Sequence, residues 1–258
     1  MSANPWSLKG ARALVVGIAN DQSIAWGIAK ALHDAGAEIA VTYLNAKAQP
    51  HVQPLAHQLD SPIFMPLDVN DSEQQEALFN AIEEKWGKID ILVHSIAFAP
   101  KDDLHGRVVD VSKEGFTLAM DISVHSFVRL VKSAEPLMKD GGTCLTLSFY
   151  GAEKVVSTYN VMGPVKAALE AMTRSMAAEL GVKGIRVNAL SPGAMSTRAA
   201  RGIAHFDEMM HVAEERAPLH RLATIEDVGA AATFLCSSAG RNITGATIHI
   251  DAGYHIMA

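Results

Sequence analysis

Arg12-Ala13-Leu14-Val15-Val16-Gly17-Ile18-Ala19-Asn20-Asp21-Gln22-Ser23-Ile24-Ala25-Trp26-Gly27 reads as a strand, a turn of small residues and the start of a helix. Arg12 to Val16 is apolar and β-branched enough for a strand covered on both faces. Gly17 lets the backbone turn tightly, Ser23 can donate its hydroxyl, and the N-terminus of the following helix favours negative charge. The helical pattern runs to about Ala35, where Gly36 supplies a C-terminal cap. This is the form of the phosphate-binding corner of a dinucleotide fold. Its glycine spacing departs from G-x-G-x-x-G, so taken alone it stands equally well for a bare strand–helix connection.

The rest of the chain repeats the unit. Strand patterns fall at 38–43, 63–67, 89–94, 143–148, 185–190 and 246–250. Helical patterns fall at 71–86, at 112–138 with a break near Asp121, at about 160–180 and at 225–235. Strands and helices alternate without a linker across 1–258. That alternation predicts one α/β domain, a doubly wound (Rossmann) fold whose mostly parallel sheet carries helices on both faces. Ser191-Pro192-Gly193 reads as an interruption of the sixth strand, and the segment at about 194–216 as a substrate-covering lid. Asp68, just past the third strand, can accept from an adenine amino group or cap the next helix. Ser95-Ile96-Ala97-Phe98-Ala99 are mostly small, so a cofactor ring can lie close to the backbone there.

Composition narrows the function classes. The 258 residues are 49% hydrophobic, enough for a sizeable core, yet no apolar run approaches a membrane span and the start does not resemble a signal peptide. A net charge of -6 argues against nucleic acid. Two cysteines, Cys144 and Cys236, make no disulfide framework and fit reduced thiols in the cytoplasm. The eleven histidines are scattered. His94, His125 and His249 fall in apolar runs that suit core histidines, none shows metal-ligand spacing, and no metal is expected.

Beyond the fifth strand, Ser148-Phe149-Tyr150-Gly151 leads through a loop to Tyr159-Asn160-Val161-Met162-Gly163-Pro164-Val165-Lys166. On a helix, seven residues return to nearly the same face about 10.5 Å further along. A phenol there can hydrogen-bond a substrate oxygen while the ammonium holds the sugar of an extended cofactor. Spacing alone describes an ordinary amphipathic helix just as well. Pro164 requires the helix to start late, near Asn160, or to kink.

Together these residues resemble the short-chain dehydrogenase/reductase superfamily over essentially the whole chain. Within it the chain is similar to the bacterial enoyl-[acyl-carrier-protein] reductases. The common Tyr-x-x-x-Lys signature is absent, because Gly163 stands four residues after Tyr159. Tyr159-x6-Lys166, Gly17-x5-Ser23-Ile24-Ala25 and Ser95-Ile96-Ala97-Phe98-Ala99-Pro100 instead have the enoyl reductase form. Thr146 stands where the carbonyl reductases usually place Ser.

The resemblance implies hydride transfer from NADH to the β-carbon of a trans-2-enoyl thioester in fatty-acid synthesis. Tyr159 would bind the thioester oxygen and Lys166 the nicotinamide ribose. The wider Tyr–Lys spacing fits an oxygen two bonds beyond the carbon that receives hydride. Gly17, Ser23 and Ile24 would hold the pyrophosphate end, Asp68 and Val69 the adenine, and Ile96 the neighbouring ribose. Met195, Ser196 and Thr197 would contact the carboxamide and phosphates. Phe98, Ala99, Met162, Ile203 and Phe206 would line an acyl slot or simply be core, and Phe149 would be a packing wall. Tyr150, one residue on, points the other way and takes no proton chemistry.

The second strand ends at Tyr43-Leu44-Asn45-Ala46-Lys47 without an Arg or a pair of cations for a 2′-phosphate, which favours NADH over NADPH. Ala204, Asp207 and Glu208 stand where carrier-binding relatives place basic residues. Either Arg198 and Arg201 serve an acidic carrier protein, or coenzyme A carries the acyl chain. Members of the family usually form homotetramers through long helices, here 112–138 and 160–180. The face Ala167, Ala168, Ala171, Met172 and Met176 would serve such contact or burial within the chain.

Overall fold

The computed structural model describes residues 4–156, 159–197 and 206–257. Seven strands form one parallel sheet in the order β3-β2-β1-β4-β5-β6-β7. They are β1 (Arg12–Val16), β2 (Glu38–Tyr43), β3 (Ile63–Pro66), β4 (Ile91–His94), β5 (Gly142–Leu147), β6 (Ile185–Pro192) and β7 (Thr247–Ile250). The chain runs outward from β1 to β3, then returns to β4 on the other side of β1. The strand order therefore reverses between β1 and β4, where open α/β sheets place their ligands.

Helices cover both faces because β1, β4 and β5 are buried on both sides. One core packs α3 (Ser72–Trp86), α6 (Ser126–Ala134) and α7 (Met162–Leu180) on the sheet through Leu78, Phe127 and Val165. The other packs α1 (Ile24–Asp34), α2 (Gln49–Gln58) and α9 (Ile225–Cys236) through Ile28, Val52 and Val228. Short α4 (Lys101–Leu104), α5 (Lys113–Met120) and α8 (Phe206–Arg216) complete the set. Among the described residues no helix is long and apolar enough to cross a membrane.

Several boundaries differ from the sequence reading. α2, which was not anticipated, contains Pro50 and Pro54. Both are exposed, while Val52, Leu55, Ala56 and Leu59 recur at helical spacing and are buried. β6 is not interrupted at Ser191: Pro192 still pairs with Ile250, and the strand stops at Gly193. Asp71 caps α3 by accepting from the Glu73 and Gln74 amides, so Asp68 does not. The break at Asp121 is a π-helical turn over Asp121–His125 between α5 and α6. His125 is exposed beside Asp121 and Arg129, against the expectation of a core histidine.

Candidate active site

Because every strand is parallel, the segments after β1, β2, β3, β4, β5 and β6 emerge at one edge of the sheet. Those segments carry Gly17, Leu44, Asp68 with Val69, Ser95 to Ala99, Ser148 to Tyr150, and Met195 to Thr197. The topology gathers the residues singled out from the sequence, apart from Ile203, which lies outside the described residues, while Phe206 opens α8.

At the switch point, Gly17 has φ +109° and a Cβ there would fall 2.1 Å from the Ser95 carbonyl oxygen. Only glycine lets the β1–α1 turn lie against the end of β4. Ser23 is the N-cap of α1, but its side chain caps no amide of the helix; its oxygen accepts from the Ala19 amide and its hydroxyl donates to the Asn20 carbonyl at 2.5 Å. The first turn of α1 holds no acid. A helix N-terminus with no side-chain cap, no competing carboxylate and a glycine cradle beside it fits a pyrophosphate. The expected hydroxyl donation from Ser23 is instead spent on shaping the turn. Leu44 is 53% exposed at the end of β2, and Asn45 accepts from the Lys47 and Ala48 amides, which turns the chain into α2. Asp68 accepts from the Asn70 amide, and Val69 is buried with its carbonyl held by Arg129 at 2.8 Å.

The other half of the site sits beyond β5. Tyr159 is not on α7. It lies in the turn before the helix, where its amide donates to the Val156 carbonyl and its own carbonyl accepts from Met162. Asn160 follows with φ +44°, a left-handed conformation that asparagine tolerates. Helical phase therefore does not set the Tyr159 phenol relative to Lys166; the turn before α7 does. Pro164 falls at the third position of α7, where its missing N–H would have had no partner within the helix, and no kink is needed.

The Tyr159 ring is 8% exposed and packs on Phe149 with ring centres 4.7 Å apart. Gly151 makes room, since a Cβ there would sit 2.5 Å from Cδ1 of Tyr159. Tyr150 turns the other way and meets Tyr254 edge-on. Burial pushes the Tyr159 phenol up, so it stays protonated and acts as a donor. Met162 is buried beside it, and Ile96 and Ala99 pack on the same cluster. Phe98 is 47% exposed, while its backbone amide and carbonyl are both held by the Ser123 hydroxyl of the π-helical turn.

Lys166 is 4% exposed and donates to the Leu147 carbonyl at 2.5 Å. Burial lowers its pKa to about 8, while the charge of Glu170 one turn on works to raise it. Buried Glu170 accepts from the Ser148 hydroxyl. Ser148, Lys166 and Glu170 thus tie α7 to the end of β5. The sequence reading missed Glu170. Its signal was an acid four residues after the lysine, on the face of α7 that also buries Leu169 and Thr173.

His94 lies beneath this group, fully buried. Its Nδ1 is 3.0 Å from the Thr146 hydroxyl and its Nε2 2.8 Å from that of Ser126. Ser126 spends its proton on the Ile122 carbonyl, so Nε2 carries hydrogen and Nδ1 accepts from Thr146. Burial and the nearby Lys166 charge lower its pKa to about 3, which keeps the ring neutral. At the same edge, at the end of β7, His249, Asp251 and His255 come together with metal-ligand spacing, contrary to the sequence expectation.

A dinucleotide cradle at the switch point and a buried tyrosine–lysine pair one strand over define a nicotinamide-dependent oxidoreductase of the short-chain class. A family profile described as "Enoyl-(Acyl carrier protein) reductase" matches residues 17–255. The chain is 50% identical over 250 residues to enoyl-[acyl-carrier-protein] reductase [NADH] 1 of Rhizobium meliloti (strain 1021), covering 97% of this chain and 92% of that one. It superposes with TM-score 0.92 on the enzyme from Anaplasma phagocytophilum solved in complex with NAD, at 45% identity over 97% of this chain and 94% of that one. The Bacillus cereus reductase solved with NADP+ and an indole naphthyridinone gives 0.95, at 45% identity over 97% and 98%. This chain belongs to the enoyl-(acyl carrier protein) reductase family.

Proposed function

We propose that this protein reduces the trans-2 double bond of enoyl thioesters with NADH, as a step of bacterial fatty-acid synthesis in the cytoplasm. NADH supplies the hydride. Gly17, Ser23 and Ile24 face its pyrophosphate, Leu44, Asp68 and Val69 its adenosine end, and Ile96, Lys166, Met195, Ser196 and Thr197 its nicotinamide half. Phe98, Ala99, Phe149, Met162, Ile203 and Phe206 line the acyl slot, and the segment at about 194–216 closes over it. The chain acts as a single reductase domain over 1–258.

One observation carries the reading. Tyr159 is buried and protonated, and among the described residues no side chain or backbone group takes its hydroxyl in a hydrogen bond. A donor held ready on a mostly buried ring stabilises charge that appears only as the enolate oxygen develops. Lys166 stays charged at neutral pH, anchored to Leu147, and presents further N–H donors to a sugar. His94 remains neutral and adds no competing charge beneath them.

The acyl donor proposed is acyl carrier protein, and the assembly a homotetramer. On α7, Met176 is buried and Ala168 and Met172 pack on the core, but Ala171 is exposed and Ala167 half-buried, so burial within the chain accounts for only part of that apolar face. Mixing the protein with NADH and crotonyl-coenzyme A, then with a ketone, while following the reduced cofactor tests the reaction. Oxidation with the enoyl thioester alone supports it; oxidation with the ketone alone, or none, refutes it. Carrier-bound and coenzyme A-bound substrates turned over with equal efficiency at low salt would remove the carrier from the account.

A further inference from the structure

The C-terminal edge holds a second cluster that the reduction does not use. His249 of β7 pairs in register with Ser191 of β6, and Asp251 and His255 follow within one turn. One ligand atom from each of His249, Asp251 and His255 lies within 4.8 Å of the others. The two imidazoles stack with centres 3.9 Å apart and planes 10° from parallel. Nδ1 of His255 is 3.0 Å from both carboxylate oxygens of Asp251. Asp251 is 6% exposed and fixed, since its oxygens also accept from the Gly253 and His255 amides.

The protonation pattern points to a cation. Nε2 of His249 is 3.1 Å from the Glu153 carboxylate. A hydrogen there leaves Nδ1 with its lone pair, and among the described residues buried Nδ1 has no hydrogen-bond partner. The hydroxyl of its cross-strand neighbour Ser191, 1% exposed, also lacks one. A carboxylate holding the outer nitrogen of an imidazole whose inner nitrogen is bare is the usual support for a metal-bound histidine. Nδ1 of His255 now donates its hydrogen to Asp251; a cation would displace that hydrogen, and the 3.0 Å separation is close to the roughly 3.3 Å edge of a tetrahedron with bonds of about 2.0 Å.

We infer that His249, Asp251 and His255 form a site for a borderline divalent transition cation, Zn2+ foremost, with Glu153 orienting His249. Two imidazoles and a carboxylate are a nitrogen–oxygen set suited to zinc rather than to calcium or magnesium. The ion would fasten the turn that carries Glu153, on the path from β5 to Tyr159, to the C-terminal turn.

The test uses the full chain, stripped with a chelator, then titrated with Zn2+ by calorimetry and with Co2+ by visible absorption. About one Zn2+ per chain, a four-coordinate Co2+ spectrum and a zinc-dependent rise in melting temperature are expected. His249→Gln and His255→Gln should each weaken zinc by more than tenfold, and Glu153→Gln by roughly tenfold. The surface pair His51→Gln and His57→Gln should leave binding within about twofold. If the site variants destabilise the chain, the partly exposed Glu153→Gln still reads the site, because it removes no proposed ligand. Zinc affinity unchanged in all three site variants, a six-coordinate Co2+ spectrum, or no binding by the parent would overturn the proposal.

Discussion

The two ends of the candidate cleft are built differently. At the reactive end, Tyr159, Lys166, Glu170, Ser148 and His94 are all buried, and each polar side chain but the phenol is engaged by a neighbour. At the other end, Leu44 is more than half exposed, the N-terminus of α1 has no side-chain cap, and Gly17 leaves space against Ser95. Catalysis needs dipoles already in place when charge develops, and burial fixes them while shifting their pKa values. Holding a nucleotide needs little beyond a bare helix end and room for the chain to approach. Substitutions at the reactive end should therefore alter turnover or pH dependence, and those at the open end should alter little.

The largest effect is expected at Tyr159. Tyr159→Phe keeps the ring packed on Phe149 and removes one donor, which should lower kcat by about 10²–10³ with NADH affinity unchanged. Gly151→Ala forces a Cβ against that ring, and displacement of the phenol by about 1 Å should cost on the order of 10²-fold in kcat. Lys166→Met keeps the stem but loses the charge, and NADH dissociation measured by fluorescence should weaken roughly 10- to 100-fold.

The pH dependence of the unsubstituted protein follows from Lys166. Its ammonium is the donor, and it is lost as pH rises through about 8, so NADH affinity should fall on the alkaline side. Glu170→Gln removes the charge that supports the ammonium, so the same fall should begin at lower pH; an unshifted profile would separate Glu170 from Lys166. Leu44→Ala should be nearly silent, within about 0.5 kcal/mol in both cofactor binding and turnover. A large loss there would erase the contrast between the two ends.

The sheet was legible because buried parallel strands appear as short β-branched runs bounded by glycine and polar residues, as at Arg12–Val16 and Ile91–His94. The helix with two prolines was not, since exposed proline in α2 hides a periodicity that its buried face still carries. Tyr159 and Lys166 were found by their spacing and by family likeness, but the reason first assigned to that spacing does not hold. A turn with left-handed Asn160, not helix phase, sets the phenol. Ser126 reaches His94 across 32 residues and nothing local marks it, whereas Glu170 carried a local mark in its place one turn after Lys166 on the buried face of α7. The His249–Asp251–His255 group is close in sequence, but its spacing fits no single helix or strand face; a strand and the turn after it fold the two histidines onto one another.

The central claim is that hydride lands on the β-carbon while charge grows on the thioester oxygen beside Tyr159. Single turnover with NADH deuterated at C4 and a crotonyl thioester, followed by analysis of the product, tests it most directly. Deuterium on C3 of an intact butyryl thioester is the predicted result. Deuterium on the former carbonyl carbon, or bound cofactor with no transfer, would contradict it.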